Sequence, residues 1–294
     1  MEQTYRKSDK FAAANCPSTI QEAVLAGKPV KLNLDFLNKR IKVLDYHSNN
    51  IDLLISYLYN LDRGMFSKII VVARENDWQD FLSRGYVLEG INEGYYRGRP
   101  GFYMVKFLTT ERRMSHTLEK EAEIFRDILR RPRVSVPPSL PVGYSLRNAV
   151  SEDIPQIIPL FKSIFASYPS PITDPGYLSQ FLKNHIFQLV TYNGQLISTA
   201  SAEIDRKHLS AEMTDCACLP EHRSKSLMSC LLYSIEQELT QSGFKNFYSI
   251  ARASQPGINA VLWKLGYNYG GCFINNCTIG GQFENMNLWI KNIW

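Results

Sequence analysis

The residues best suited to chemistry form a short basic loop in the second half of the chain. The loop, Arg223-Ser224-Lys225-Ser226-Leu227-Met228, follows a predicted strand at 210–219 and opens a predicted helix. At a helix N-terminus the backbone N–H groups point outward and the helix dipole is positive. A loop of small and cationic residues at this point can therefore hold an anion such as a phosphate group.

The cysteines form neither a metal-binding nor a disulfide pattern. The chain has six of them, without C-x-x-C spacing and without the density of a small disulfide scaffold: Cys16, Cys216, Cys218, Cys230, Cys272 and Cys277. We interpret them as thiols in a reducing compartment. Cys216 and Cys218 lie two apart on the predicted strand and face the same way, which favours a pair of small core residues over a metal site.

Length, composition and charge limit the classes of protein that need to be considered. A chain of 294 residues can form two domains, and 45% apolar with 21% charged residues is typical of a soluble globular protein. The net charge of +5 is too small and dispersed to indicate a nucleic-acid partner, but it is compatible with an anionic ligand. The beginning of the chain lacks the apolar core of a signal peptide, and no run of 18 apolar residues exists. We therefore expect a cytoplasmic protein without a membrane partner.

The elements around the loop follow from the spacing of apolar residues. Residues 1–29 are polar and irregular, and no element is predicted there. The rest of the first half predicts a hairpin at 30–34 and 40–44, a helix at 50–61, a strand at 68–72, a helix at 77–83 and two strands ending at 102–107. An amphipathic helix at 110–131 and the Pro137-Pro138 pair then indicate a linker. We interpret Arg130-Arg131-Pro132-Arg133 as a solvated helix end rather than an anion site.

The second half predicts a longer series of elements. These are a strand at 143–149, helices at 151–167 and from 174, a hairpin at 187–192 and 196–204 with an Asn193-Gly194 turn, the strand at 210–219, a helix to 241, a strand at 244–253, a helix at 257–264 and two closing strands.

Part of the first half is echoed in the second. The segments Val72-Ala73-Arg74, Gly85-Tyr86 and Glu89-Gly90 resemble Ile250-Ala251-Arg252, Gly266-Tyr267 and Gly270-Gly271, and each copy ends in a strand. The separation of about 180 residues indicates a duplicated half-domain rather than a solenoid repeat. The first copy has no counterpart of the basic loop, so we expect it to be a degenerate, structural relative of the second.

The element order of the second half, β-α-α-β-β-β-α-β-α-β-β, is that of the GNAT acyltransferase fold, an α/β (α+β) fold with a mixed, mainly antiparallel sheet. Within this frame a set of short motifs resembles the beta-lysine N-acetyltransferases, densely over 143–294 and more loosely before it. They are Glu203-Ile204-Asp205, Ala211-Glu212-Met213-Thr214-Asp215, Leu219-Pro220-Glu221-His222-Arg223, Tyr248-Ser249-Ile250-Ala251-Arg252-Ala253, Asn259, Leu265-Gly266-Tyr267, Gly270-Gly271, Asn275-Asn276, Ile279-Gly280 and Glu284-Asn285-Met286-Asn287.

This resemblance implies a domain organisation and an activity. It implies a degenerate GNAT-like domain at 1–110, a helical and Pro-rich linker at 111–141, and a GNAT N-acetyltransferase domain at 142–294. The implied reaction transfers an acetyl group from acetyl-CoA, without a metal, to the side-chain amine of beta-lysine. The product is a compatible solute, and the amine comes from a lysine 2,3-aminomutase. The substrate follows from the resemblance and not from composition or periodicity.

Such a reaction needs a base, because an ammonium group cannot attack a thioester. Glu212 lies early on the central strand, where several GNAT enzymes place their general base; the alternative is a strand-end glutamate paired with a surface cation. Asp215 points to the opposite face from Glu212 if the strand is regular, and a bulge would change that. Asp215, Glu203 and Asp205 can bind a cationic substrate or serve as structural or surface carboxylates.

The resemblance also implies a cofactor site. GNAT enzymes carry an R-x-x-G-x-G/A loop that holds the pyrophosphate of acetyl-CoA, and the strand before it orients the thioester through backbone N–H groups. The implied contacts here are Cys216, Ala217, Cys218, Arg223, Ser224, Lys225, Ser226, Leu227, Met228 and Asn259. Ser224, Ser226 and Met228 stand where small residues, mostly glycine, are usual. Leu262 stands where many of these enzymes have a tyrosine general acid, and we interpret Tyr267 and Tyr269 nearby as packing residues.

The missing glycines support a second hypothesis. In it, the chain is a non-catalytic acyl-CoA-binding or scaffold protein whose duplicated halves form a partner surface. Turnover of acetyl-CoA with a panel of diamines, measured as free thiol, distinguishes this hypothesis from the acetyltransferase.

Overall fold

The computed structural model describes residues 18–47, 50–61, 64–133 and 136–293. In these ranges the first half of the chain forms six strands and four helices. They are β1 (Ser18–Leu25), β2 (Lys28–Asp35), β3 (Arg40–Asp45), α1 (Ile51–Leu61), β4 (Lys68–Ala73), α2 (Trp78–Ser83), β5 (Val87–Tyr96), β6 (Arg99–Phe107), α3 (Thr110–Arg113) and α4 (Leu118–Leu129).

The second half of the described chain forms seven strands and four helices. They are β7 (Tyr144–Asn148), α5 (Ile154–Ile164), α6 (Pro175–Asn184), β8 (Ile186–Tyr192), β9 (Gln195–Asp205), β10 (Ser210–Cys218), α7 (Leu227–Gln241), β11 (Asn246–Arg252), α8 (Pro256–Lys264), β12 (Asn268–Ile279) and β13 (Gln282–Asn292). The element order predicted for this half is confirmed. No helix in the described ranges is both long and apolar enough to cross a membrane.

All thirteen strands belong to one sheet, in the order β1-β2-β3-β4-β6-β5-β12-β13-β11-β10-β9-β8-β7. Two of the described strand pairings are parallel, β3 with β4 and β10 with β11, and the others are antiparallel. Helices α4, α7 and α8 pack on one face of the second half, and α5 and α6 pack on the other. This mixed sheet with helices on both faces confirms the predicted fold class.

The duplication extends further than the sequence indicated. The first half has the strand order β1-β2-β3-β4-β6-β5, and the second half repeats it as β8-β9-β10-β11-β13-β12 with β7 added at the edge. Helix α1 joins the parallel pair β3 and β4 as α7 joins β10 and β11. The segment between β3 and α1 is therefore the topological counterpart of the basic loop, although residues 48–49 within it lie outside the described ranges. That this segment lacks the anion-binding role of the basic loop stays a prediction.

The two halves of the sheet meet at a pair of glycines. Gly90 on β5 lies opposite Gly271 on β12, and these residues occupy equivalent places, because Gly90 pairs with Tyr103 and Gly271 pairs with Leu288 on the corresponding strands. Gly271 has a φ of +146°, and a Cβ atom built there would lie 2.2 Å from the Glu89 carbonyl oxygen. Only glycine allows the two backbones to approach this closely.

A hydrophobic cluster beside this junction belongs to both halves. Tyr103 of the first half is 5% exposed and packs with Phe273, their ring centroids 4.8 Å apart, and Leu288 and Ile290 complete the cluster. The two halves therefore share a core as well as a sheet.

Two local predictions about the first 131 residues are wrong. Residues 18–25, predicted as irregular, form edge strand β1, which pairs with β2 through a turn at Ala26 and Gly27. The signal was weak because most of β1 is exposed or half-buried. The single helix predicted at 110–131 is two helices, since the chain is extended at Met114. Helix α4 packs against the second half's core through Ile124, Phe125 and Ile128, so it is not a free linker.

Replacing Gly271 with alanine is expected to destabilise the whole chain. The new Cβ would overlap the β5 backbone and would force a side chain into a φ that favours glycine, so we expect the free energy of unfolding to fall by about 3 kcal/mol or more. Urea denaturation followed by circular dichroism measures it. Gly257→Ala is the control, because that site has open space around its Cβ position and no positive φ. Equal stability of the two variants would contradict the importance of the glycine contact.

Candidate functional site

The site begins where strands β10 and β11 separate. Their parallel pairing covers three residue pairs and ends at Glu212 opposite Tyr248. One step further, the Ser249 hydroxyl donates to the Met213 carbonyl at 2.8 Å. Beyond this bond the two strands diverge, and their unpaired edges line an opening in the sheet.

A β-bulge on β10 accompanies the divergence. The register with β9 shifts between Thr214 and Ala217, and Asp215 within the bulge has a φ of +49°. Hydroxyl groups of β9 support the distorted backbone: Ser198 donates to the Ala217 carbonyl at 2.8 Å, and Thr199 donates to that of Asp215 at 3.4 Å. A bulge bends its strand and increases the local twist, which explains why β10 leaves β11 here.

A cavity of about 640 Å³ occupies the opening. Its walls include Met213, Thr214 and Asp215 from β10 and Ser249 and Ile250 from β11, and the lining continues past the opening to Tyr168, Ile279 and Met286. On the other side the cavity reaches the basic loop and the first turn of α7. It therefore joins an anion-binding loop to the far face of the central strand.

The basic loop adopts glycine-like backbone angles without glycine. Ser224 has a φ of +61° and Ser226 a φ of +59°. Ser226 stands immediately before α7, and no side chain caps the helix. The N–H groups of the first turn therefore have no intrahelical or capping partner and are available to an anion. The loop keeps this geometry although its glycines are absent. The missing glycines are therefore weaker support for the hypothesis of a non-catalytic protein.

Cationic side chains surround the same end of the cavity. Arg223 of the loop lines it, together with Arg131, Arg252 and Lys264 from other elements. Arg131 was predicted to be part of a solvated helix end, and the structure brings it to the cavity. Several positive charges beside an uncapped helix N-terminus favour a ligand that carries more than one phosphate group.

The predicted cofactor residues do not all lie at the cavity. Those in its lining are Cys216, Cys218, Arg223, Ser224, Ser226, Leu227 and Met228. Ala217 faces the core under α5, and the Lys225 ammonium donates to the Glu221 carbonyl at 2.8 Å on the surface. Asn259 is fully buried, donates to the carbonyls of Arg252 and Gln255, and accepts from Trp289 Nε1 at 2.7 Å. These bonds fix the backbone of Arg252 and Gln255, two residues that line the cavity, while the Asn259 side chain itself is outside the lining. The five cysteines in the described ranges are free thiols, whereas Cys16 lies outside those ranges.

Three carboxylates converge on the far face of β10. Glu212 and Glu203 are directly opposite each other on β10 and β9. The bulge turns Asp215 to this face, where it accepts a hydrogen bond from Ser201 at 2.6 Å. Like charges opposite each other on a sheet are unfavourable. Among the described residues none of these three carboxylates has an ion pair within 4.0 Å. We call Glu203, Glu212 and Asp215 the carboxylate cluster.

The environment of the cluster favours protonation of its buried members. Burial raises the pKa of Glu212 to about 7, and the nearby charge of Glu203 adds to the rise. Burial likewise raises the pKa of Asp215 to about 6, opposed by the hydrogen bond from Ser201. A carboxyl group with a pKa near 7 can accept and release a proton at neutral pH. Over the described ranges no group of His, Cys, Asp and Glu side chains is placed to hold a metal ion.

Asp205, another candidate from the sequence, lies outside the cluster. Its carboxylate binds His208, with 2.6 Å between Oδ2 and Nδ1, and it accepts from the His208 backbone N–H at 3.0 Å. These contacts close the turn between β9 and β10. Asp205 therefore has a structural role in this turn.

Tyr168 is a site residue that sequence reasoning did not identify. It lies in the loop between α5 and α6, lines the cavity and lies near enough to Asp215 to affect the pKa of that carboxyl group. Burial raises its pKa well above the usual value. The sequence showed only a Pro-rich loop at this position, and only the fold brings it beside the bulge. Leu262 and Tyr267 are fully buried, and Tyr269 is exposed beside Phe125 and Trp289.

At the equivalent place in the described part of the first half, a tyrosine bridges the ends of the two parallel strands. Tyr46 directly follows β3 and is 2% exposed. Its hydroxyl accepts from the Arg74 backbone N–H at 3.1 Å and donates to Asp77 at 2.8 Å. These bonds connect the end of β3 to the end of β4, where the second half has its cavity.

Sequence comparisons relate the chain to acetyltransferases. A sequence model of the Acetyltransferase (GNAT) family matches residues 154–267. The N-acetyltransferase YodP of Bacillus subtilis is 37% identical over 269 residues, which cover 91% of this chain and 98% of that protein. The beta-lysine N(6)-acetyltransferase of Methanosarcina mazei is 34% identical, covering 76% and 90%. The protein of the same name from Methanococcus maripaludis is 30% identical, covering 88% and 95%.

The loop predicts an effect on stability. Ser226→Gly is expected to raise the free energy of unfolding by roughly 0.5–1 kcal/mol, since glycine tolerates the left-handed backbone and serine does not. Ser226→Ala removes the same hydroxyl but keeps the strain, so it should stay within about 0.5 kcal/mol of the original chain. Chemical denaturation compares the variants. A loss of stability in Ser226→Gly would show that the hydroxyl, and not the backbone, determines the loop's energy.

Proposed function

Since this chain is a GNAT N-acetyltransferase of the beta-lysine N-acetyltransferase family, we propose that it transfers an acetyl group from acetyl-CoA to the side-chain amine of beta-lysine. The observation that carries the choice of acceptor is the carboxylate cluster. Asp215 lines the cavity away from the basic loop, Glu203 and Glu212 lie on the same face of the β9–β10 hairpin, and none of the three has a cationic partner among the described residues. They suit a substrate that carries ammonium groups.

The basic end of the cavity suits acetyl-CoA as co-substrate. The uncapped first turn of α7 and the arginines around it would hold the pyrophosphate, with Ser224 and Ser226 allowing close approach of the backbone. The pantetheine arm would then follow the opening between β10 and β11. Free backbone N–H groups on the diverging edge of β10 would orient the thioester and stabilise the developing oxyanion.

Glu212 is the proposed general base. It receives a proton from the substrate ammonium, directly or through water, and leaves a neutral amine. The amine nitrogen then attacks the thioester carbonyl carbon, the carbon–sulfur bond breaks, the nitrogen of the new amide loses its second proton to water, and the leaving thiolate gains a proton. Asp215, held by Ser201 and lying near Tyr168, would bind a second ammonium group. Tyr168 lies on the cavity beside it and can supply a proton to the thiolate, a role for which the sequence offered no candidate.

The proposal also includes the source of the substrate and the role of the product. We place the reaction after a lysine 2,3-aminomutase, which forms beta-lysine, and assign its product as a compatible solute. The support is the similarity to two enzymes named for beta-lysine.

Replacing Glu212 with glutamine is expected to lower kcat at neutral pH by roughly 10²-fold or more, the usual scale for loss of a general base. Glutamine keeps the size and a hydrogen-bonding group toward Tyr248 but cannot accept the proton. In the unaltered enzyme kcat/KM should rise with pH through about 7 as Glu212 loses its proton. In the Glu212→Gln variant this rise of kcat/KM near pH 7 should disappear. Higher pH should recover part of the rate, because a larger fraction of the substrate amine is then already neutral.

Steady-state kinetics between pH 6 and 9 test this, at about 1-unit steps. Glu238→Gln is the control, because this half-buried glutamate lies near the far end of α7 and contacts Asn148 and Gln188. Full kcat in Glu212→Gln across that range would make Glu212 structural and move the base to Asp215 or Glu203.

The loop gives a separate kinetic prediction. Ser226→Gly should leave the KM for acetyl-CoA unchanged or lower it, since the backbone geometry that receives the phosphates is kept. A KM about tenfold higher, shared by Ser226→Ala, would instead identify the hydroxyl as a ligand of the co-substrate, since one lost hydrogen bond has that scale.

A further inference from the structure

We propose that Lys42, from the first half of the chain, binds the carboxylate of the acceptor and thereby selects amino acids over simple diamines. This inference rests on the proposed function, because it concerns the same acceptor site. It gives the degenerate half a direct part in substrate recognition.

Strand β3 faces the second half of the chain on both sides of Lys42. Two residues before it, the Arg40 guanidinium donates to the Asn276 carbonyl at 3.0 Å. Three residues after it, the Asp45 carboxylate accepts from Lys207 on the turn between β9 and β10 at 2.5 Å. Lys42 therefore lies over the hairpin that carries Glu203 and Glu212. The charges of both glutamates act on its ammonium group, as do those of Arg40 and Asp35.

The internal symmetry of the sheet explains this placement. Lys42 pairs with Ile70 on β4, and Glu212 pairs with Tyr248 on β11. Ile70 and Tyr248 are equivalent, because each stands two residues before the repeated segment that begins at Val72 or Ile250. Lys42 and Glu212 thus occupy the same position in the two copies, and the fold turns these positions toward each other.

Lys42 is a free cation in this region of the described structure. It is half-buried, and none of the described carboxylates lies within 4.0 Å of its ammonium group. Arg40 beside it is already occupied by Asp35, with 2.8 Å between Nε and Oδ2. A half-buried lysine near two glutamates would be expected to pair with one of them. A carboxylate ligand at Lys42 would therefore not have to displace a carboxylate of the described chain.

Aromatic side chains form a wall beside this space. Tyr95 of the first half lies 6.1 Å from Tyr248 and 6.2 Å from Tyr103, measured between ring centroids. The charge of Glu212 acts on the hydroxyls of all three tyrosines. A ligand here meets carboxylates on one side, an ammonium group on the other, and aromatic surface suited to methylene groups. This arrangement is complementary to a diamino acid, with its ammonium groups toward the cluster and its carboxylate toward Lys42.

Paired substrates test the proposal. Beta-lysine and 1,4-diaminopentane have the same two amines, but only beta-lysine has a carboxylate. Lys42→Gln is expected to raise the KM for beta-lysine roughly 10- to 100-fold, the scale of a lost hydrogen bond to a charged group, and to change the KM for the diamine less than about threefold. Lys42→Arg keeps the charge and should retain most of the preference. Lys28→Gln, an exposed lysine on β2, is the control and should change neither.

A purely electrostatic role for Lys42 would give a different result. It would move the acid limb of the pH–rate profile to higher pH for both acceptors and leave their ratio unchanged, which would overturn the proposal. Equal KM values for the two acceptors in the unaltered enzyme would also overturn it.

Failure of the proposed function can be recognised separately. If beta-lysine is not acetylated, the same comparison is made with lysine and cadaverine and with ornithine and putrescine, and loss of the carboxylate preference in Lys42→Gln would still support the assignment. Calorimetry with beta-lysine and lysine in the presence of CoA measures the same difference in Kd without turnover. Unchanged Kd values in Lys42→Gln, or no binding of either amino acid to the unaltered enzyme, would count against Lys42.

Discussion

The separation of β10 from β11 determines where every part of the site lies. Parallel strands normally stay paired along their length, and here pairing ends after Glu212 because the bulge at Asp215 bends β10 away. The same distortion turns Asp215 toward Glu212 and Glu203 and opens a passage through the sheet. In the first half, β3 and β4 keep four pairs and Tyr46 closes their ends. In the described part of the chain, the distortion at Asp215 on β10 therefore accompanies the opening of the site.

The sequence predicted the elements, and the position of the basic loop at the start of α7, well because their signals are local. Hydrophobic spacing predicted the helices and strands of the second half, and Asn50 and Asp174 each accept a backbone N–H bond at the start of a helix predicted there. The frame of the loop was recognisable although its glycines are absent. Its backbone angles at Ser224 and Ser226 could not be predicted, since serine does not ordinarily favour them.

The acceptor side of the site could be predicted only in part, because it depends on contacts distant in sequence. Glu212 and Glu203 were identified, but their direct opposition depends on strand register. Tyr168 lies near Asp215, but it comes from a Pro-rich loop in which the sequence indicates no site residue. Asn259 was expected to contact the cofactor, but in the structure its side chain is hydrogen-bonded to the Arg252 carbonyl and to Trp289 Nε1. No sequence pattern marks Lys42 as a site residue, because it lies in the first half of the chain, far in sequence from Glu203 and Glu212.

The glycine contact between β5 and β12 makes the chain comparable to a homodimer whose two subunits have been fused. In a true homodimer each gene position appears twice, so residues related by the twofold axis must be identical. Position-equivalent residues facing one another would then be two lysines or two glutamates, and both arrangements repel. Fusion releases each copy to mutate independently, which permits Lys42 in one and Glu212 in the other. Opposite charge across a pseudosymmetric axis is thus a feature that a homodimer cannot have and that the fused chain can.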